Sequence, residues 1–208
     1  MITVVRLFDF RSGSLAGNYL SQFRQVEGNA GGPILGERDF DLPWAAKSID
    51  YNGPGRIVSL IKEGMNPAEA KRRVTGTLQG AVQKQVLQGG RRVVDLSALA
   101  NPVSRGWRRV ADASPCTFCA LLVTRGPAYR SAKSAGEGRE WHYKCGCTVE
   151  EVFSRWRPTR TEERYIDAYS DVAAQLRKER LDLTRGNVLS RLRKDGGFRD
   201  SPATPAAE

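Results

Sequence analysis

A chain of 208 residues with 40% hydrophobic side chains is long enough for one buried core, or one core with a small satellite. Its 33 basic and 23 acidic side chains leave a net charge of +10, which suits a polyanionic or acidic partner, although a solvated basic helix face gives the same balance. No stretch approaches the roughly 18 apolar residues of a membrane span, and Met1–Arg6 lacks the basic and apolar regions of a secretory signal, so the sequence reads as soluble with no membrane partner.

From the N-terminus, Val4-Val5-Arg6-Leu7-Phe8 is a short apolar run, followed by a helix around residues 15–23 on which Tyr19, Leu20 and Phe23 share a face. Residues 28–36, with their glycines, Asn29 and Pro33, form a loop. A short helix over residues 44–50 stops at Asn52-Gly53-Pro54-Gly55, and Ile57, Val58, Leu60 and Ile61 supply a second apolar face that ends at Gly64.

Asn66-Pro67-Ala68-Glu69 is the clearest helix start. Asn66 can accept from the free amides of the first turn, Pro67 suits the first helical position, and Glu69 completes a capping box. Ala70, Val74, Leu78, Val82 and Val86 then recur every four residues as a core stripe. Lys71, Arg72, Arg73, Lys84, Arg91 and Arg92 fall on a solvated face, some of them able to meet phosphates, and Gly89-Gly90 should break or kink the helix before Val93, Val94, Leu96 and Leu99.

Next, residues 105–110 suit a strand, and Asp112, Ser114 and Pro115 form a turn that caps a short helix through Phe118, Leu121 and Leu122. Residues 148–153 fit a returning strand. The basic linker 155–160 leads to a helix near 161–182 carrying Tyr165, Ile166, Tyr169, Val172, Ala173 and Leu176. A last helix, 184–194, sets Val188, Leu189 and Leu192 against Arg185, Arg191, Arg193 and Lys194.

All four cysteines fall within 32 residues, as Cys116-Thr-Phe-Cys119 and Cys145-Gly-Cys147, and the one histidine, His142, lies three positions before Cys145. Two short bites separated by a 22-residue loop are the spacing of a zinc site. Two disulfides, or plain buried thiols, are the alternatives, but so short a bite strains a local disulfide. Five donors compete for four positions: Cys116 and Cys119 come first, His142 next, and Cys145 and Cys147 are not separable by sequence. A closed shell of three thiolates and an imidazole leaves no position for water, which makes the metal structural. Glycines 126, 136, 138 and 146 add chain entropy to a window thin in apolar side chains, so metal binding would organise it.

The expected fold class is mainly α with a small α+β zinc-binding module. The organisation is an N-terminal helical region (1–104), the module (105–155), C-terminal helices (156–194) and a flexible tail (195–208).

With one histidine and no G-x-S-x-G elbow, serine or cysteine hydrolase chemistry would have to take His142 from the metal, and no phosphate-cradling G-x-x-x-x-G-K-[ST] loop exists. The chain therefore reads as a non-enzyme with no catalytic residues. One enzymatic alternative is a small nuclease in which four cysteines hold zinc and His142 acts as general base, beside a second metal on Asp112, Glu137, Glu140, Glu150 or Glu151. Another alternative is a cellular zinc module that binds DNA. Trp141 and Tyr143 would either be exposed binding aromatics or the site's own miniature core.

Trp107-Arg-Arg-Val110 with Asp112, Pro115-Cys-Thr-Phe-Cys-Ala-Leu-Leu122, Arg125-Gly-Pro-Ala-Tyr129, Ser134-Ala-Gly136 and His142-Tyr-Lys-Cys-Gly-Cys-Thr148 resemble the zinc-type signature of MuF-like minor head proteins of tailed bacteriophages. The actinobacterial-phage branch is the nearest in pattern. The likeness is strongest over residues 105–153, and extends more loosely to Tyr19–Arg24 with Glu27-Gly28, the 66–94 helix and Arg164-Tyr165. It implies a minor capsid protein of the virion, made in the host cytoplasm and packaged in few copies inside the head. It also implies partners in the portal or other capsid proteins, non-specific contact with packaged DNA, and roles in head morphogenesis and DNA ejection. The ligand positions carry over one by one as Cys116, Cys119, His142, Cys145 and Cys147, with Zn2+ as the ion. Relatives carry a longer helical segment before the Tyr19 region than the 18 residues here, and some are fused to a protease or toxin for which this chain has no length. A stand-alone minor head protein is the expectation.

Overall fold

Helix follows helix through most of the chain because apolar side chains recur at helical spacing between capped starts and glycine-rich stops. This computed structural model describes residues 1–29, 31–33, 40–112, 115–131, 134, 141–142, 145–195 and 198. Its elements run α1 (Ile2–Val26), α2 (Leu42–Tyr51), α3 (Pro54–Lys62), α4 (Pro67–Ala100), β1 (Trp107–Val110), α5 (Thr117–Val123), β2 (Thr148–Glu151), α6 (Arg160–Lys178) and α7 (Arg185–Asp195). The protein is mainly helical with one two-stranded sheet, the class expected from its sequence. It packs as two units, Met1–Ser97 with Trp141–Cys145, and Ala98–Glu140 with Gly146–Glu208.

In the first unit, α1 unites the early apolar run and the later helix into one element of 25 residues. Its inward face carries Val5, Asp9, Gly13, Gly17, Leu20 and Arg24, while Val4, Phe8, Leu15 and Tyr19 point outward, each more than half exposed. Of the face expected from Tyr19, Leu20 and Phe23, Leu20 is buried, Phe23 half-buried and Tyr19 exposed, so the buried seam runs along one side of the expected face. The buried Arg24 guanidinium donates to the carbonyls of Gly31, Gly32 and Ser97, which ties the loop after α1 to α4. Of the expected loop 28–36, residues 30 and 34–36 lie outside the described residues.

The α2 helix is capped by Asp41, whose carboxylate accepts the Trp44 amide at 2.8 Å. Gly53-Pro54 ends α2 and also starts α3, with Gly53 as its N-cap and Pro54 in its first turn. Leu60 of α3 packs with Ala70 and Val74 of α4. Asn66 starts α4 as expected, its side chain accepting the Ala68 amide at 2.9 Å.

Beyond that point α4 departs from the sequence reading in two ways. Ala81 and Gln85 are buried, whereas Leu78, Val82 and Val86 are half-buried. A strict four-residue repeat drifts about 40° per step around a helix of 3.6 residues per turn, so the real seam shifts by one position. Gly89-Gly90 does not interrupt the helix, which continues to Ala100. A Cβ on Gly89 would lie 2.0 Å from the Asp9 carbonyl oxygen, and the Gly90 amide donates to Ser12 Oγ at 3.2 Å. The two glycines let α1 and α4 approach backbone to backbone.

In the second unit, β1 and β2 pair antiparallel with Trp107 opposite Glu151 and Val110 opposite Thr148, each strand two residues shorter than expected at its outer end. Trp107 also bridges to Tyr129, their rings 4.2 Å apart. Arg108 of β1 pairs with its cross-strand partner Glu150 at 2.8 Å and with Glu162 of α6. Glu162 completes a capping box with Thr159, accepting the Thr159 amide at 2.9 Å, so one carboxylate starts α6 and anchors the sheet. Leu121 of α5 packs with Val172, Leu176, Val188 and Leu192 of α6 and α7, while Ala120 and Val123 pack with Tyr165. The expected flexible tail falls almost wholly outside the described residues, of which Phe198 sets its ring 5.6 Å from Tyr165.

Candidate metal centre

The first bite is built at the start of α5. Cys116 is the N-cap of that helix, and its sulfur accepts the Cys119 amide at 3.5 Å, so the capping role expected of Asp112 and Ser114 belongs to a candidate ligand. One turn into the helix, Cys119 is buried with Ala120, Leu121, Leu122 and Val123. At the second bite the Cys145 amide donates to the His142 carbonyl at 3.4 Å, and Cys147 is buried just before β2. No disulfide joins the four cysteines.

The five predicted donors come together as two triads. Cys116, Cys119 and His142 form one, Cys119, Cys145 and Cys147 the other, and within each the donor atoms lie within 4.8 Å of one another. Cys119 is common to both. Tetrahedral coordination with zinc–sulfur bonds of about 2.3 Å places sulfurs roughly 3.8 Å apart, so a modest contraction would close either triad on one ion. Mostly buried, non-disulfide sulfur with a single imidazole is a soft donor set that fits zinc.

One residue that holds this window in place was misjudged in the sequence. Arg91, expected on a solvated face, is buried: its guanidinium lies 3.8 Å from the Trp141 ring centroid and donates to the Cys145 carbonyl at 2.7 Å. Trp141 is buried beneath it, which agrees with the miniature-core alternative, and Tyr143 lies outside the described residues. No periodicity signal could have separated Arg91 from its solvated neighbours, because its partners are about fifty residues downstream. Burial lowers the Lys84 ammonium from its ordinary value, with Arg91 adding to the fall and Cys145 opposing it.

Asp112 lies against the Cys145-Gly-Cys147 turn, where a Cβ on Gly146 would come within 2.4 Å of its carboxylate. The other carboxylates considered for a second metal are engaged elsewhere or outside view. Glu150 pairs with Arg108, Glu151 accepts from Asn101 at 3.1 Å, and Glu137 and Glu140 lie outside the described residues. Among the described residues, neither donor triad contains a carboxylate.

The VG15 protein family matches residues 35–172, more than half of the chain and all of the cysteine window. The chain belongs to the VG15 protein family. It is similar to the Gene 15 protein of Mycobacterium phage D29, 26% identical over 154 residues that cover 58% of this chain and 56% of that protein. The VG15 chain thus spans little more than half the length of that curated relative. No solved structure matches it. Among the described residues, no helix of the VG15 chain is long and apolar enough to cross a membrane.

Proposed function

We propose that this VG15 chain is a non-enzymatic component of a tailed-phage particle, a MuF-like minor head protein whose cysteine window is stapled by one zinc ion. The observation that carries the reading is the convergence of four cysteines outside any disulfide and His142 into two donor triads that share Cys119, in a chain similar to a mycobacteriophage gene product. Zinc held by sulfur and imidazole supplies a cross-link with no open position for water or substrate. Among the described carboxylates considered for a second metal, Glu150 and Glu151 are engaged with Arg108 and Asn101 and Asp112 packs on the Gly146 turn, which supports a structural ion over a reactive one.

The protein resides inside the head near the portal and touches packaged DNA without reading its sequence. Its net charge of +10 suits phosphate contacts, which are independent of sequence and weaken steeply with salt.

Metal analysis of the native protein should give one zinc per chain, and Cys119→Ser, which removes the donor common to both triads, should lose it. Duplex and single-stranded DNA should stay intact, and binding should fall linearly on a log–log salt plot with no preferred sequence. A His142→Ala variant that keeps its zinc while abolishing a DNA cleavage seen in wild type would overturn the reading in favour of a nuclease. Strong sequence preference would overturn it in favour of a cellular DNA-binding module. Mass spectrometry of purified particles from the genome that encodes the chain should find it in heads at low copy number.

A further inference from the structure

We propose that Arg91 is the positioning residue that holds the His142–Cys145 bite in shape for a soft divalent cation; the proposal rests on the metal reading above. Arg91 lies on α4 among arginines of a different kind. Arg72 and Arg73 are exposed, whereas Arg91 is 5% exposed. Burying a guanidinium is costly unless its charge and its donors find partners, so its position needs a cause.

The cause is the segment it touches. The guanidinium carbon lies over the ring of Trp141, the residue immediately before His142, 3.8 Å from its centroid, and Nη2 donates to the carbonyl of Cys145 at 2.7 Å. Arg91 therefore grips both ends of the four-residue bite, while the Cys145 amide closes the turn onto the His142 carbonyl. Only a planar, delocalised cation can stack on an indole face and aim a hydrogen bond in its own plane at the same time. Lysine can supply the charge but not both contacts, and methionine can supply the bulk but neither.

A charge argument runs the same way. A divalent ion in a shell of three or four thiolates leaves the centre net negative, and a fixed cation bound to a ligand's own backbone favours the loaded state over the empty one. Outer partners of this kind hold ligands in the geometry the metal needs, and their loss typically weakens binding by about 10–100-fold.

The test measures zinc affinity of the full chain by competition with a chromophoric chelator, together with the visible and thiolate charge-transfer bands of the cobalt-substituted protein. Arg91→Met should weaken zinc binding by about 10–100-fold and alter the cobalt spectrum, Arg91→Lys should fall between it and wild type, and both should keep the helical circular dichroism of the parent. Leu60→Ala, in the α3–α4 core, serves as a comparison that lowers stability without touching the bite; its zinc affinity and cobalt spectrum should match wild type. Wild-type affinity and spectrum in both Arg91 variants would overturn the assignment, as would a loss in Leu60→Ala as large as that in Arg91→Met. Wild-type protein that takes up no zinc would overturn the metal reading itself, and the assignment with it.

Discussion

Arg108 shows how much one side chain decides in this protein. It is nearly buried, it pairs with Glu150 across the sheet, and it reaches Glu162 at the start of α6. Removing one partner of such a network leaves an uncompensated buried carboxylate, at a cost of roughly 3–5 kcal/mol. Arg108→Met should therefore lower stability by about that amount in urea unfolding, and Arg108→Met combined with Glu162→Gln should cost less than the sum of the two single changes. Tyr165 gives a pH-dependent prediction. Burial raises its hydroxyl above the ordinary 10.0; Asp112, Cys147 and Glu162 add to the rise and Arg164 opposes it. Since the folded value lies above the unfolded one, the contribution to stability is whole below about pH 10 and is lost as the pH climbs through the folded value. Between about pH 9 and 11, wild type should lose more stability than Tyr165→Phe in parallel denaturation curves. The five side chains that the structure groups as possible metal donors were legible one residue at a time, because metal ligation needs particular atoms at short spacing. Arg91 was not, because a buried arginine looks like any other until its distant partner is known.

At the scale of elements, α1 and α4 separate what periodicity can and cannot supply. Asn66-Pro67 marked the start of α4 by local chemistry alone, and the structure begins the helix there. Its end was misread because glycine pairs usually stop helices, whereas Gly89-Gly90 here face the α1 backbone. Gly89→Ala puts two effects against each other. Alanine gains about 1 kcal/mol of helix propensity, but its Cβ would sit 2.0 Å from the Asp9 carbonyl, a backbone atom that moves only if α1 moves. The clash should win, with a net loss of at least about 1–3 kcal/mol by denaturant unfolding, whereas Gly32→Ala, with nothing within 4 Å of the added carbon, should stay within roughly 0.5 kcal/mol of wild type. The outward apolar face of α1 was equally illegible, since Phe8, Leu15 and Tyr19 face solvent while Asp9, Gly13, Gly17 and Arg24 share the contact with Val5 and Leu20.

At the scale of the whole molecule, the proposed metal and the helical framework should respond differently to chelation. Amide exchange over residues 105–153 should rise by an order of magnitude or more when zinc is removed, while the helix over residues 66–94 should change little; uniform loosening would show that the window has no separate dependence on the ion. The order of elements, the helical class, the cap at Asn66 and the five donors are all matters of short-range chemistry, and short-range chemistry is written in the sequence. Which face of α1 is inside, why a glycine pair runs through a helix and why an arginine is buried under a tryptophan depend on partners tens of residues away. Only the folded chain brings those partners within reach, so only the tertiary structure decides them.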